Sequence, residues 1–200
     1  MLKRMYLVAA LVGSLAMVAV ACGSDNGGGS GASGTPSAGS TDACSTDAFG
    51  CVTYASGEPI RIGTLLAISG DVATLGQDSL NGVNLAVDYL DQKFDATPGQ
   101  LLGHDVNIQS EDDLCSKDGG QTGGTKLASD PTILSVIGTS CSSSAYGVAD
   151  KILSDKGILL ISPSNTAAGL TAEGTHQAFY LRTAQNDACL LYTSPSPRDS

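Results

Sequence analysis

From Ile60 onward the chain alternates short apolar runs with helical segments, and this alternation constrains the fold more than any other feature. Residues 60–68 (IRIGTLLAI) read as a strand whose alternation turns into a buried run, ended by Ser69-Gly70-Asp71. Leu80, Val83, Val87, Leu90 and Phe94 then recur at helical spacing, with Asp78, Asp88, Asp91 and Lys93 mostly on the other side. Pro98-Gly99 breaks the chain. Val106 and Ile108 mark a second strand, running out in Glu111-Asp112-Asp113. Residues 116–129 read as a weak helix, because Gly119, Gly120, Gly123 and Gly124 each disfavour it by about 1 kcal/mol relative to Ala. Residues 133–137 (ILSVI) form a third strand, 142–156 a helix, 158–161 a fourth strand and 178–182 a fifth. The expectation is an α/β fold: a parallel sheet with helices on both faces.

In such sheets ligands sit beyond the C-terminal ends of the strands. Those ends are Ser69-Gly70-Asp71, Glu111-Asp112-Asp113, the 138–144 stretch (GTSCSSS) and the 162–166 stretch (SPSNT), and the last two are dense in hydroxyls. Residues 140–144 precede a helix, whose N–H groups and dipole, with serine hydroxyls beside them, suit a carboxylate- or phosphate-sized anion. The plainer reading is that Ser142 or Ser143 only caps the helix. The acidic 111–113 cluster lacks calcium-loop spacing and reads as a solvated strand end. Gly138-Thr139-Ser140-Cys141-Ser142 falls one residue short of the hydrolase elbow, ending in Ser. His104 and His176 stand alone and read as ordinary surface or loop residues, and with no C-x-x-C no metal site is expected. No phosphate-cradling glycine motif follows the first strand, so no nucleotide and no cofactor is expected.

The first 22 residues carry an export signal. Lys3 and Arg4 precede a 17-residue, largely apolar run, Met5 to Ala21, which leads directly to Cys22. Ala19-Val20-Ala21-Cys22 resembles the bacterial lipobox, in which the cysteine thiol is lipidated and becomes the new N-terminus; a plain signal peptide or a retained anchor is the alternative. Residues 23–41 are dominated by Gly, Ser and Thr and read as a flexible tether of roughly 25 Å average span. The chain carries −10 overall and −12 without Lys3 and Arg4, with only 4% aromatic residues and no Trp, so nucleic acid is not an expected partner.

Six cysteines occur, at 22, 44, 51, 115, 141 and 189. An exported compartment favours disulfides. Cys44 and Cys51 can close a small loop; Cys115 and Cys141 lie 26 apart, a closure contributing about 3.5 kcal/mol by loop entropy; four buried thiols are the alternative.

The motifs Ile60-Arg-Ile-Gly-Thr, Ser69-Gly70, Gly76, Asn81-Gly82 and Ala86 resemble the opening of type I periplasmic binding proteins, specifically the leucine/isoleucine/valine-binding branch. Val136-Ile-Gly, the 140–144 stretch, Gly157-Ile-Leu-Leu-Ile-Ser-Pro163, Thr166, Leu170-Thr171 and Phe179-Tyr-Leu-Arg182-Thr183 continue it in order, over roughly residues 60–187. The resemblance implies two β/α lobes closing on a ligand, of which residues 60–188 would be the first. It implies that Ser142, beside Cys141, holds an amino-acid carboxylate, and that the Ser164 carbonyl and Thr166 hydroxyl hold the ammonium. It also implies a Cys115–Cys141 disulfide. With a 2-1-3 strand order, the loops bearing these cysteines must lean over the first strand. Leu75 stands where an aromatic often packs the ligand, Ser140 replaces an apolar wall residue and Asn165 a small one, so a more polar pocket is expected.

The expected function is therefore capture of a small amino-acid-like ligand by a lipid-anchored extracytoplasmic receptor for an ABC importer permease, without catalysis. The alternatives are a sensory receptor of the same fold and a serine hydrolase using Ser140 or Ser142. The resemblance ends near Ala188. Residues 189–199 (CLLYTSPSPRD) look like the codon-by-codon translation of a transposase-type sequencing adapter. On that reading residues 189–200 are an artefact and the natural protein is about twice as long.

Overall fold

The computed structural model describes residues 51–91 and 99–189. The proposed signal run, Cys22, Cys44, Phe94 and residues 190–200 lie outside them.

The sheet is built around β1 (Ile60–Leu66), whose Thr64, Leu65 and Leu66 are wholly buried. β1 pairs in parallel with β3 (His104–Asp112) on one side and β4 (Ile133–Gly138) on the other. Two further parallel strands, β5 (Leu159–Ser162) and β6 (Tyr180–Arg182), extend the sheet beyond β4. The order is β2-β3-β1-β4-β5-β6, with β2 (Gln100–Leu101) the one antiparallel member. Its hairpin turns at Leu102 and Gly103, at φ 54° and 82°, so both positions are left-handed as a two-residue hairpin turn requires. Leu-Gly is a weak signal for such a turn, and sequence reading passes over β2.

Helix α1 (Ala73–Asp91) follows β1, and α2 (Lys117–Ala128) follows β3. The β1-to-β3 and β3-to-β4 crossovers run in opposite directions across the sheet. Right-handed connections therefore place α1 and α2 on opposite faces. Ser116 caps α2 by accepting from the Gly119 N–H at 3.0 Å. The main core lies on the α2 side, where Leu65, Leu127, Ile133, Val136, Ala145, Ala149, Leu153 and Leu160 pack together.

The helix expected over residues 142–156 is not continuous. A single turn, α3 (Ser142–Ser144), is followed by Tyr146 (φ −58°, ψ 112°) and Gly147 (φ 65°, ψ 16°), both outside helical geometry. Helix resumes at α4 (Asp150–Ser154). Glycine at 147 admits the left-handed conformation. The side chain of Asp150 then accepts the N–H groups of Val148 (3.0 Å) and Lys151 (2.7 Å), which the break releases.

Candidate functional site

Four loops gather at the C-terminal edge of the parallel strands, after β1, β3, β4 and β5. Asp113 joins the loop after β3 to the loop after β4. It is fully buried, although the sequence suggests a solvated strand end. Its Oδ2 accepts the Ser140 N–H at 2.7 Å and its Oδ1 accepts the Cys115 N–H at 2.7 Å. Its carbonyl accepts the Ser144 hydroxyl at 3.3 Å. Burial pushes the Asp113 carboxyl above its ordinary range; these N–H groups and the Ser144 hydroxyl act against that, and the neighbouring Asp112 charge adds to it. Asp112 moves the other way. Its slight burial is outweighed by the Ser69 hydroxyl and the N–H groups of Leu114, Ile68 and Ser69, which hold it below the usual carboxylate value. Glu111 pairs with Lys126 at 2.7 Å. The three acids thus have three separate structural partners and do not converge as a calcium site would require.

Leu114 and Cys115 both take left-handed φ values, 50° and 49°, unusual for residues with side chains. A Cys115–Cys141 disulfide, with Cα atoms 5.0 Å apart, ties this turn to the start of α3. β1 separates the two parent strands, so the loops lean over it as the strand order demands. Cys51 is also disulfide-bonded.

The residues singled out by sequence divide into two groups. Ser140 and Asn165 turn inward. Ser140 is 3% exposed; its hydroxyl accepts the Ala67 N–H at 2.9 Å, and its carbonyl accepts the Ser164 hydroxyl at 2.8 Å. Asn165 is 1% exposed and donates Nδ2–H to the Thr139 hydroxyl at 2.9 Å. These side chains brace the loops from below and do not make the mouth more polar.

Ser142, Ser164 and Thr166 form the second group, all partly exposed. The Ser142 hydroxyl accepts the N–H groups of Thr166 and Ala167, both at 3.2 Å, and so joins the loop after β4 to the loop after β5. Its own proton is not donated to any described residue, and the Ser164 carbonyl and Thr166 hydroxyl have no described hydrogen-bond partner. One donor and two acceptors are therefore left at adjacent points. Cys141 precedes α3 and makes no side-chain cap. Because α3 is a single turn, the helix dipole expected behind this site is small, and hydroxyls and local N–H groups carry its polarity. Leu75, in the first turn of α1, is 43% exposed at the same edge.

Two residues that sequence reading missed hold the loop after β5 in place. Arg182 donates to the carbonyls of Asn165 (3.3 Å) and Ala167 (3.0 Å) and to the Thr171 hydroxyl. Ser162 donates to the Thr139 carbonyl at 2.8 Å and accepts the Asn165 N–H at 2.9 Å. The Arg in the last strand stands out as a cation beside apolar residues; Ser162 belongs to the hydroxyl-rich 162–166 strand end, but nothing in the sequence says that it turns inward. His104 and His176 contact the carbonyls of Glu58 and Tyr180, at 2.7 and 2.8 Å, and no described hydrogen bond joins either to a serine. A groove of about 750 Å³, where Cys51 and Val52 face Ile133, Leu134, Ile152 and Ile158, lies outside these loops and does not contribute to the site.

A family model described as "Periplasmic binding protein" matches residues 59–193. The Leu/Ile/Val-binding protein of Escherichia coli K12 is 35% identical over 130 residues, covering 62% of this chain and 34% of that protein. The Leu/Ile/Val-binding protein BraC3 of Rhizobium johnstonii is 33% identical over 128 residues, covering 64% of this chain and 32% of its own. Among solved structures, the branched-chain amino acid transporter substrate binding protein LivJ from Streptococcus pneumoniae, in complex with isoleucine, superposes with a TM-score of 0.57 at 26% identity. That match covers 66% of this chain and 35% of LivJ. The chain thus spans about a third of the length of the relatives it matches.

Proposed function

Since this chain belongs to the periplasmic binding protein family, in its leucine/isoleucine/valine-binding branch, we propose that it supplies one wall of a receptor for a small amino acid. The observation that carries this reading is the uncommitted set at the strand ends: the Ser142 hydroxyl proton, the Ser164 carbonyl and the Thr166 hydroxyl. A hydroxyl donor suits a carboxylate, and a carbonyl with a second hydroxyl suits an ammonium. A zwitterion laid across the two loops meets both with its backbone groups. Its side chain would then lie towards Leu75, whose exposed apolar surface suits an aliphatic group. No step in this scheme breaks a covalent bond; the role is capture and delivery to an ABC importer permease. Residues 60–188 act as the ligand-binding lobe and 189–200 play no part in it. Residues 1–21 serve as the export signal, and residues 22–59, lipidated at Cys22, tether the lobe to the outer face of the membrane.

These loops cover one side of a bound amino acid and leave the other side to water, so the affinity of this chain is expected to be weaker than micromolar. The test is an amide NMR titration of the 200-residue chain with L-leucine, using isocaproate, which lacks the ammonium, as control. Saturable shifts at Ser142, Ser143, Ser164 and Thr166 are expected, with weaker response to the control. Absence of shifts at these amides, or shifts clustered elsewhere, would overturn the reading.

A further inference from the structure

Among the described residues, three buried polar atoms lack a hydrogen-bond partner and belong to segments in or near the loop after β5: Asp150 Oδ2, Asn165 Oδ1 and the Tyr180 hydroxyl. Their residues are 0%, 1% and 0% exposed. They come from three segments, the start of α4, the loop after β5 and the start of β6. The Tyr180 hydroxyl adjoins the Asn165 amide and the Ser162 hydroxyl, short of good hydrogen-bond geometry, and it feels the charge of Asp150. The remaining polar atoms of the cluster are taken. Asp150 Oδ1 accepts two N–H groups, Asn165 Nδ2 donates to Thr139, and Ser162 donates to the Thr139 carbonyl. The neighbouring cations are engaged as well: Lys151 pairs with Asp155 at 2.9 Å, and Arg182 serves backbone carbonyls.

With Asp150 ionised, a direct contact between Tyr180 and one acceptor leaves the other acceptor bare, and buried polar groups are rarely left so. Water fits the set without remainder. It donates one hydrogen to Asp150 Oδ2 and one to Asn165 Oδ1, and its oxygen accepts the Tyr180 O–H. We propose that Asp150, Asn165 and Tyr180 enclose an ordered internal water, and that through it Tyr180 and Asn165 are positioning residues for the loop carrying Ser164 and Thr166. The water site stands on the three atoms alone; only its bearing on ligand binding rests on the function proposed above.

The experiment is a high-resolution crystal structure of the 200-residue chain, together with amide hydrogen exchange of wild type and Tyr180→Phe, all without amino acid. The expected structure has a single oxygen peak about 2.7–3.2 Å from all three atoms. In Tyr180→Phe the Thr166 and Ala167 amides, which dock on Ser142, should exchange about tenfold faster, while Leu65 and Val136 in the central strands are unchanged. A general packing defect would speed all of these together and would overturn the positioning role. Direct bonding among the three atoms, or a peak surrounded like a metal cation, would overturn the water site. The wild-type structure decides that point even if the variant does not fold. Failure of leucine to bind affects none of these readouts.

Discussion

Two helices flank the central strand β1, and they differ in how much they bury: α1 packs one glycine, Gly76, against the Ala67 carbonyl, where a Cβ would come within 2.0 Å, while α2 packs a whole face of glycines. α1 has 19 residues with apolar side chains at helical spacing, yet among its described side chains only Gly76 and Val87 are buried, while Leu85 and Tyr89 are 58% and 61% exposed. α2 has 12 residues and a third of them are glycine, yet Gly119, Gly120, Gly123, Gly124 and Leu127 are all buried. A Cβ at Gly119 would come within 2.1 Å of the Asp113 carbonyl oxygen, and one at Gly120 within 2.0 Å of the Ser144 carbonyl oxygen. The helix with the poorer intrinsic propensity is therefore the better anchored. Its glycines are a contact surface, and the backbone they admit belongs to the loops that carry the proposed site. Propensity and packing are separate contributions, and here packing decides.

The sharpest way to break the comparison is Gly120→Ala. At an exposed helical position this change stabilises; here the methyl group meets backbone that cannot rotate away. The expected loss is about 4 kcal/mol or more, seen as a collapsed urea midpoint or no cooperative transition. A loss under about 1 kcal/mol would mean that α2 is free to shift and that its glycines are not a contact surface. Next in size is the double variant Cys115→Ser/Cys141→Ser, which releases the turn just before the α2 cap. Loop entropy for a separation of 26 residues sets its cost at about 3.5 kcal/mol. Hydrogen exchange should also rise first in α2 and the 139–144 loop, ahead of α1. Equal rises in the two helices would remove the distinction drawn between them.

The same contrast explains what was legible in the sequence. The five parallel strands are readable because short apolar runs such as ILSVI and ILLI suit strands packed within a covered sheet, while the 2-1-3 order around β1 is an expectation set beside the family resemblance. α2 is readable as a helix but not as an anchor, since a glycine's value lies in what approaches it from elsewhere in the fold. The break at Tyr146–Gly147 is hidden for a related reason: it is tolerated because Asp150 reaches back to the freed N–H groups. Within the site, the loops and the donor Ser142 are visible as hydroxyl-rich strand ends. The inward turn of Ser140 and Asn165, and the burial of Asp113, are not. A polar residue in a loop carries no periodicity to say which way it faces, and only partners such as the Ala67 N–H or the Thr139 hydroxyl decide it.

On the α1 side the expected effects are smaller. Val87→Ala removes a side chain that is 6% exposed, in a helix where, among the described residues, only Gly76 is buried besides it. The loss should be about 1.5 kcal/mol, measured by urea unfolding; a loss matching that of Gly120→Ala would show α1 to be as tightly held as α2.

The smallest effect is the most telling, because its sign reverses. Gly82 lies in the interior of α1 with no atom beyond its neighbouring helix backbone within 4 Å of the position a Cβ would take, and its backbone is not left-handed. Alanine there meets nothing, keeps the helical backbone and reduces the freedom of the unfolded chain. Gly82→Ala should therefore stabilise by about 0.5–1 kcal/mol. The same atoms added at Gly120, in the other helix, should unfold the protein. Measured side by side, the pair isolates packing from propensity, since the substitution and the secondary structure are identical and only the surroundings differ. If both variants lose stability, Gly82 has a neighbour or a role that its open surroundings do not reveal, and α1 is not the loosely held helix described here. If both gain, the close approach of α2 to the Ser144 carbonyl is relieved by motion, and the loops of the site are less firmly placed than their hydrogen bonds suggest.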